Sequence, residues 1–556
     1  MKRLFKKIRK QLLLLLLLLV LLPSVFALFH QGFYGASDDM HVAWLYEMDR
    51  TISMGQIPPR FVPDLSYRFG YPLFSFVFPL PFYLGEVFYG LRFSYVDSLK
   101  IVFGISLVAS GLGMYLLLKQ MLPSILSFAG AVLYVFTPYR STDVYDRGAV
   151  GESLAFVFLP LLVYSAIKIF KKKSWKNISV YALSLAGLIL SHNIISYMFF
   201  PFFLLFSVIL YLISKNKKEF ILSNIFGIVS GLLVSLYFWL PAILESRLMK
   251  YDTVFNFKDH FPTIRQLITP YFGYGASVPG PGDGISFFIG LMNLFLIVLG
   301  VILMILYWKK IKPLEKAVLT WLVAVFSVSI FMMNHRSSFV WDNLPLLPYF
   351  QFPWRFLTLV TFISPLFVIS LKYLPKIGKY LAILIAVVAI IINCKYFRPH
   401  DFLERKDQYY LDRYIPKQET LDKYREIQEE YLRLPLGTKI RPSRLYPEIY
   451  SAVDFSFEKV KEKGMYVNYQ VFMPKDGEIN FSKYYYPGWY VKVDGKKAEI
   501  IKGDPFSQIA IALGKGIHTI EIGFKETNFR LFLDIISLLT LVGCLSFVIE
   551  KKRKNR

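Results

Sequence analysis

The sequence predicts a mainly α polytopic membrane protein with about twelve transmembrane helices and a small C-terminal extracytoplasmic β-sandwich before the last helix. The composition is 55% hydrophobic and 17% aromatic over 556 residues, with a mean hydropathy of +0.45, which calls for repeated spanning stretches rather than one soluble core. Apolar runs of roughly spanning length recur along the chain. They fall at about 11–29, 98–118, 123–138, 153–170, 178–191, 194–214, 220–245, 285–307, 317–333, 355–371, 380–395 and 528–549. Between residues 465 and 527 the pattern changes to alternation with a period of two, the signature of half-buried strands.

Residues 1–29 have a basic start, an apolar run and a small Ala27, so they read as an uncleaved anchor or as a signal peptide. The stretch 73–91 is excluded as a span because Pro79, Pro81 and Glu86 interrupt it, and it is expected to lie along the surface. With that stretch outside, the Lys-rich gaps at 168–176, 215–218, 309–316, 372–379 and 551–556 all face the cytoplasm, as the positive-inside tendency requires. Both termini are then cytoplasmic. Segments 30–97, 139–152, 191–193, 246–284, 334–354 and 396–527 face outward from a plasma membrane, and every unusual polar motif falls on that side.

Four regions follow: a membrane domain with outer loops at 1–395, a helical or irregular connector at 396–464, the β-sandwich at 465–527, and a last span with a basic tail at 528–556. Residues 417–433 read as a connector helix rich in Glu, Lys and Leu. Asp494-Gly495 predicts a tight hairpin, because both positions accept positive φ. Cys394 and Cys544 belong near opposite membrane faces, too far apart to bridge.

The net charge of +25 arises from 64 Lys and Arg against 39 Asp and Glu, yet residues 396–527 hold 22 basic and 20 acidic side chains. The excess is therefore topological, and nucleic acid is not an expected partner. The polar chemistry opens with Asp38 and Asp39, nine and ten residues past the first apolar run. An acidic pair just outside a membrane can take a proton from a hydroxyl or hold a metal, whereas the bland alternative is that Asp38 caps the helix that follows.

The first span, the outer loop opening with acidic residues and the interfacial Phe69-Gly70-Tyr71-Pro72-Leu73 together resemble the GT-C superfamily of polyprenyl-phosphate-sugar-dependent glycosyltransferases. Asp146-Arg147-Gly148-Ala149, Ser191-His192-Asn193, Tyr237-Phe238-Trp239-Leu240-Pro241, Phe352-Pro353-Trp354-Arg355 and Tyr486-Pro487-Gly488-Trp489 resemble bacterial YfhO-type and 6-pyruvoyl-tetrahydropterin synthase-related membrane proteins. The resemblance implies a hexosyltransferase-type enzyme in the bacterial cell envelope. It would take a sugar from a polyprenyl-phosphate carrier and place it on a hydroxyl of an envelope glycan, polymer or glycolipid at the outer face. Phosphate is already a good leaving group, so one carboxylate, Asp38 or Asp39, suffices as base for an inverting transfer.

In the second outer loop, Arg147 is a candidate phosphate ligand. Asp143, Asp146 and Glu152 are candidates to join the first-loop acids around a divalent ion such as Mg or Mn, with a solvated loop of local ion pairs as the alternative. His192, Asn193 and Arg355 stand at outer helix ends as candidate substrate ligands. Trp489 and Tyr490 are candidate glycan-stacking rings, although alternating aromatics in a small β-domain more often form its core. Despite the pterin-related family name, the seven histidines are scattered and make no zinc motif. Two other classes compete: a lipid-linked-sugar transporter or flippase, which needs charges midway along spans, and a non-catalytic glycan-assembly protein, which tolerates loss of the first-loop acids.

Overall fold

The computed structural model describes residues 2–250, 256–374, 376–415, 417–420 and 433–549. Each of the twelve apolar runs is helical for most of its length. Among the described residues, eight helices are long and apolar enough to cross a membrane: Gln11–Phe29, Tyr95–Leu118, Val150–Lys171, Asn193–Ile213, Pro313–Met332, Pro353–Leu371, Ile377–Tyr396 and Asn528–Ile549. The pair Lys217–Val234 and Leu236–Leu248, bent by 70° at Ser235, makes a ninth if it is one broken span. Ser124–Val135, Leu291–Leu306 and Trp175–Ser191 are shorter. Local punctuation shortens two of them: one stops at Val135, just ahead of Pro138, and the other starts only after Gly290, whose φ of +105° a non-glycine residue rarely adopts. The stretch 73–91 forms two short helices, Leu73–Phe76 and Leu80–Gly90, neither long enough to span.

Pro353–Leu371 lies at the centre, buried along its whole hydrophobic window. Pro365 interrupts its hydrogen-bond ladder, so it alternates between α and 3₁₀ turns, and its hydroxyls find partners inside the bundle. Ser364 accepts from Asn293 at 2.7 Å, and Thr358 donates to Glu152.

The C-terminal region ahead of the last helix contains, among the described residues, nine strands: β1 (Ile449–Tyr450), β2 (Ser456–Lys463), β3 (Tyr466–Met473), β4 (Gly477–Tyr484), β5 (Trp489–Val493), β6 (Lys496–Lys497), β7 (Ile501–Gly503), β8 (Gln508–Leu513) and β9 (Gly516–Phe524). They form two antiparallel sheets, β1-β4-β8-β7 and β2-β3-β9-β5-β6, whose apolar faces feed one cluster. β1 and β2 precede the expected boundary at 465 and fall in what reads as connector. The Asp494-Gly495 hairpin forms as its chemistry demands, with φ of +50° and +76°. The expected connector helix at 417–433 lies almost wholly outside the described residues.

Two features bind this region to the membrane bundle. Phe61 and Phe69 of the first outer loop are fully buried in the β cluster, with Phe61 at 5.4 Å from Trp489 edge-to-face and Phe69 at 5.2 Å from both Tyr484 and Phe506. Beside them, two fully buried arginines bridge elements distant in sequence. Arg530 of the last helix holds both oxygens of Glu245 at 2.8 Å and donates to the Pro487 carbonyl at 3.0 Å. Arg60 of the first loop reaches Asp534 at 2.7 Å, Glu526 at 3.1 Å and the Tyr237 carbonyl at 2.7 Å.

Replacing Phe61 by Ala is expected to lower the unfolding free energy by about 3–5 kcal/mol, the range for emptying a buried aromatic site. The exposed Phe472 of β3, changed in the same way, should cost less than about 0.5 kcal/mol. Denaturant unfolding in detergent measures both, and limited proteolysis should cut the β-region faster in the first variant only.

Candidate functional site

Two loops, 30–40 and 139–149, build the site by backbone pairing. Thr142–Arg147 winds as one π-helical segment closed by Gly148 in the left-handed region, with φ of +68°. The first loop crosses at this glycine, where an added Cβ would meet the Ala36 Cβ at 2.9 Å. There the amide of Ser37 donates to the Asp146 carbonyl at 3.1 Å and that of Asp38 to the Arg147 carbonyl at 2.7 Å. His41 Nδ1 adds a bond to the Gly148 carbonyl at 3.1 Å, which assigns its proton to Nδ1.

Arg147 sits beneath this crossing, almost fully buried. Its Nη1 donates to Glu152 at 2.5 Å, Asp143 at 3.2 Å and the Tyr139 hydroxyl at 3.3 Å, and its guanidinium lies 5.0 Å from the centre of the Trp354 ring. Tyr139 and Thr358 both donate to the other oxygen of Glu152. Burial disfavours the Arg147 charge, but Glu152, Tyr139 and Asp143 outweigh it and hold the guanidinium above its ordinary pKa. Burial and then the neighbouring Glu152 push Asp143 well above the carboxylate range, leaving Glu152 as the counter-charge.

The two adjacent carboxylates of the first loop part company. Asp39 is buried, accepts from the Tyr414 hydroxyl and lies 3.9 Å from Arg413, so it ties the loop to the Asp407–Tyr414 helix. Burial raises its pKa, with Tyr414 and Arg413 working against the rise. Asp38 is half-buried, and its carboxylate has no hydrogen bond or ion pair among the described residues. It interacts electrostatically with His41, Arg147 and Arg355. Asp38 does not serve as a side-chain cap for the His41–Ser53 helix.

Arg355 is also nine-tenths buried. Its Nη2 donates to Gln351 at 2.9 Å, while its Nε and Nη1 have no partner among the described residues. His192 stacks on Phe78 at 4.9 Å and caps the next helix by accepting from the Ile195 amide, so its proton is on Nε2. Burial and then the Arg355 charge push it down to about 3, so the ring is neutral at physiological pH. Asn193 faces away, reaching the Phe76 carbonyl at 3.5 Å.

The three carboxylates expected to share a divalent ion do not converge. Asp143 and Glu152 are spent on Arg147, and Asp146 turns to accept the Gly275 amide at 2.8 Å, its pKa raised by burial to about 7. Among the described residues no group of three or more His, Cys, Asp or Glu is placed to hold a metal. Trp489 is buried against Phe61 and Phe524 in the β cluster, and Tyr490 is half-buried beneath the Lys525 ammonium at 4.9 Å. Sequence reasoning missed His41, Tyr139, Trp354 and Thr358. Each lies within or beside a quoted motif or central span, but nothing in the sequence says which face it turns to Arg147.

The family model for the 6-pyruvoyl-tetrahydropterin synthase related domain, a membrane protein, matches residues 74–398, more than half the chain. A protein of Lactococcus lactis subsp. cremoris (strain MG1363), recorded as uncharacterized, is 27% identical over 225 residues, which are 39% of this chain and 37% of that protein. Similar solved structures include the arabinofuranosyltransferase AftD from mycobacteria, at TM-score 0.46 and 14% identity, covering 72% of this chain and 28% of the other. They also include the Archaeoglobus fulgidus oligosaccharyltransferase in its apo form, at TM-score 0.43 and 14% identity, covering 76% of this chain and 60% of the other. The chain thus spans less than two thirds of each of these proteins.

The partnering of the two arginines predicts opposite stability effects. Arg147→Met should cost about 3–5 kcal/mol, because it strands Glu152 in a buried position. Arg355→Met should be neutral or stabilising within about 1 kcal/mol, since it removes a buried cation with unsatisfied donors. Denaturant unfolding in detergent distinguishes them; equal losses would remove the assignment of Arg355 as a ligand group held ready.

Proposed function

The chain belongs to the 6-pyruvoyl-tetrahydropterin synthase related family of membrane proteins, and on that scaffold we propose an inverting glycosyl transfer from a polyprenyl-phosphate-linked sugar to a hydroxyl of a glycan or glycolipid at the outer face. The observation that carries this reading is the position of Asp38: a half-exposed carboxylate without a partner among the described residues, pinned through its own amide to the Arg147 carbonyl at 2.7 Å, directly over the buried Arg147 cluster.

In this reading the acceptor oxygen attacks the anomeric carbon as Asp38 takes its proton. The bond from that carbon to the phosphate oxygen breaks, and its electron pair leaves with the lipid phosphate. Arg355 is the phosphate ligand, because Nε and Nη1 are buried and unmatched. Arg147 was the candidate for that role from sequence, but Glu152 and Asp143 already occupy it, so it shapes the field and the loop. Neutral His192 donates from Nε2 and adds no positive charge. Asp39 positions Asp38 through Tyr414.

Purified protein in detergent, given radiolabelled undecaprenyl-phosphate hexoses and short neutral glycan acceptors, should form product. Asp38→Asn should lower kcat by about 10²–10⁴, the usual contribution of a general base, without changing the unfolding transition. Asp39→Asn should lower stability and reduce kcat less. Wild-type turnover by the Asp38→Asn variant would overturn the base assignment.

A further inference from the structure

The central helix Pro353–Leu371 has a charged group at each end. Arg355 stands in its first turn, in the candidate site, and Lys372 follows directly on Leu371 at the opposite end of the bundle. Against that opposite end lies a cavity of about 540 Å³, within the roughly 300–1,000 Å³ typical of ligand sites. Buried Leu126 and Leu371 and half-buried Leu374 line it from within, while the exposed Lys376, Lys379 and Tyr380 line it at the surface.

The carboxylate that the Pro313–Met332 helix brings to this end is already used. Glu315, 3% exposed, accepts from Lys372 at 2.5 Å and from the Tyr373 hydroxyl, and Lys372 also donates to the Met121 carbonyl at 3.1 Å. Lys171 is likewise committed, to the Gln120 carbonyl. Lys376 and Lys379 have no hydrogen bond or ion pair among the described residues, so their ammonium charges stand uncompensated side by side. The turn that carries them is fixed in shape. Lys376 is held in the left-handed region with φ of +62°, and a Cβ on Gly378 would collide with the Leu371 carbonyl.

Depth decides which anion fits. Two helices long and apolar enough to span, Pro353–Leu371 and Ile377–Tyr396, meet at this connection, which places the lysines at the level of lipid headgroups. From the surface of the cavity, Ile377, Tyr380 and Leu384 continue along one face of the second helix, 65%, 75% and 57% exposed, a face that bilayer hydrocarbon covers. A soluble anion makes no use of the apolar floor, and a neutral lipid leaves both ammoniums unpaired. We propose that this cavity binds an anionic phospholipid, with its phosphate between Lys376 and Lys379 and an acyl chain against Leu126 and Leu374. The binding is independent of the glycosyl-transfer reading, since the lipid sits at the far end of the central helix from Arg355.

The test titrates the full-length protein in a neutral maltoside detergent with dioleoylphosphatidylglycerol, with dioleoylphosphatidylcholine and with inorganic phosphate. Bound lipid is read by native mass spectrometry, and the thermal unfolding midpoint is followed in parallel. Phosphatidylglycerol should bind saturably, about tenfold more tightly than phosphatidylcholine for two lysines at the headgroup, and should raise the Tm. Lys376→Asn/Lys379→Gln should erase that preference while the Tm in detergent alone stays unchanged, because both side chains are exposed and Asn tolerates the left-handed backbone. Lys309→Gln/Lys310→Gln, an exposed pair at another connection, should keep it. Equal affinity for the two lipids, a preference that survives in the first double variant, or one lost equally in the second would overturn the proposal. A Tm rise reproduced by inorganic phosphate alone would overturn the assignment to a lipid.

Discussion

The loop end of the bundle is organised by the need to keep a guanidinium paired once it is out of water. Arg147 is buried, and an uncompensated buried charge costs several kcal/mol, more than a surface loop gains from its own hydrogen bonds. Glu152, Asp143 and Tyr139 supply the compensation, and Glu152 is in turn held by Thr358 from the central helix. The second outer loop therefore cannot move independently of the bundle. Because the amides of Ser37 and Asp38 pair with the carbonyls of Asp146 and Arg147, the first loop inherits that rigidity. A reacting group on a loop gains from such a scaffold, since misplacement by about 1 Å can cost orders of magnitude in rate.

The same logic repeats at the junction with the β-region. Arg530 and Asp534 sit in a helix otherwise apolar enough to span, a costly place for charge. Pairing with Glu245 and Arg60 offsets that cost and joins the first loop, the bent helix pair and the last helix. A bidentate arginine–carboxylate contact fixes orientation as well as distance. The β-region is thus seated by directional bonds at its base and by Phe61 and Phe69 in its core.

Much of this architecture was legible where the signal is local. The Asp494-Gly495 turn, the alternation from Tyr466 to Phe524 and the interrupted stretch at 73–91 each depend on residues within a few positions of one another. Hydropathy sums could not separate a spanning helix from a shorter one, because the stop at Val135 ahead of Pro138 and the late start after Gly290 leave the apolar count unchanged. Strand β2 escaped because all of Ser456–Lys463 is exposed, so Phe457-Glu458-Lys459-Val460-Lys461 shows no buried face, only the charges that protect a sheet edge. The placement of Phe61 in the β cluster and of Arg60 against Asp534 joins residues more than 400 positions apart, and no periodicity encodes such a partner.

The adjacent pair at 38 and 39 shows how the structure separates two residues that the sequence treats alike. Successive residues in a turn face different directions, so burying Asp39 against Tyr414 turns Asp38 the other way. A general base needs its lone pairs free, which Asp39 lacks and Asp38 has. Guanidiniums stabilise negative charge on a departing phosphate, and in a partly desolvated site that interaction is far stronger than in water. In the proposed reading the two tasks are therefore divided: Asp38 keeps its lone pairs for a proton, and the unmatched donors of Arg355 meet the phosphate charge.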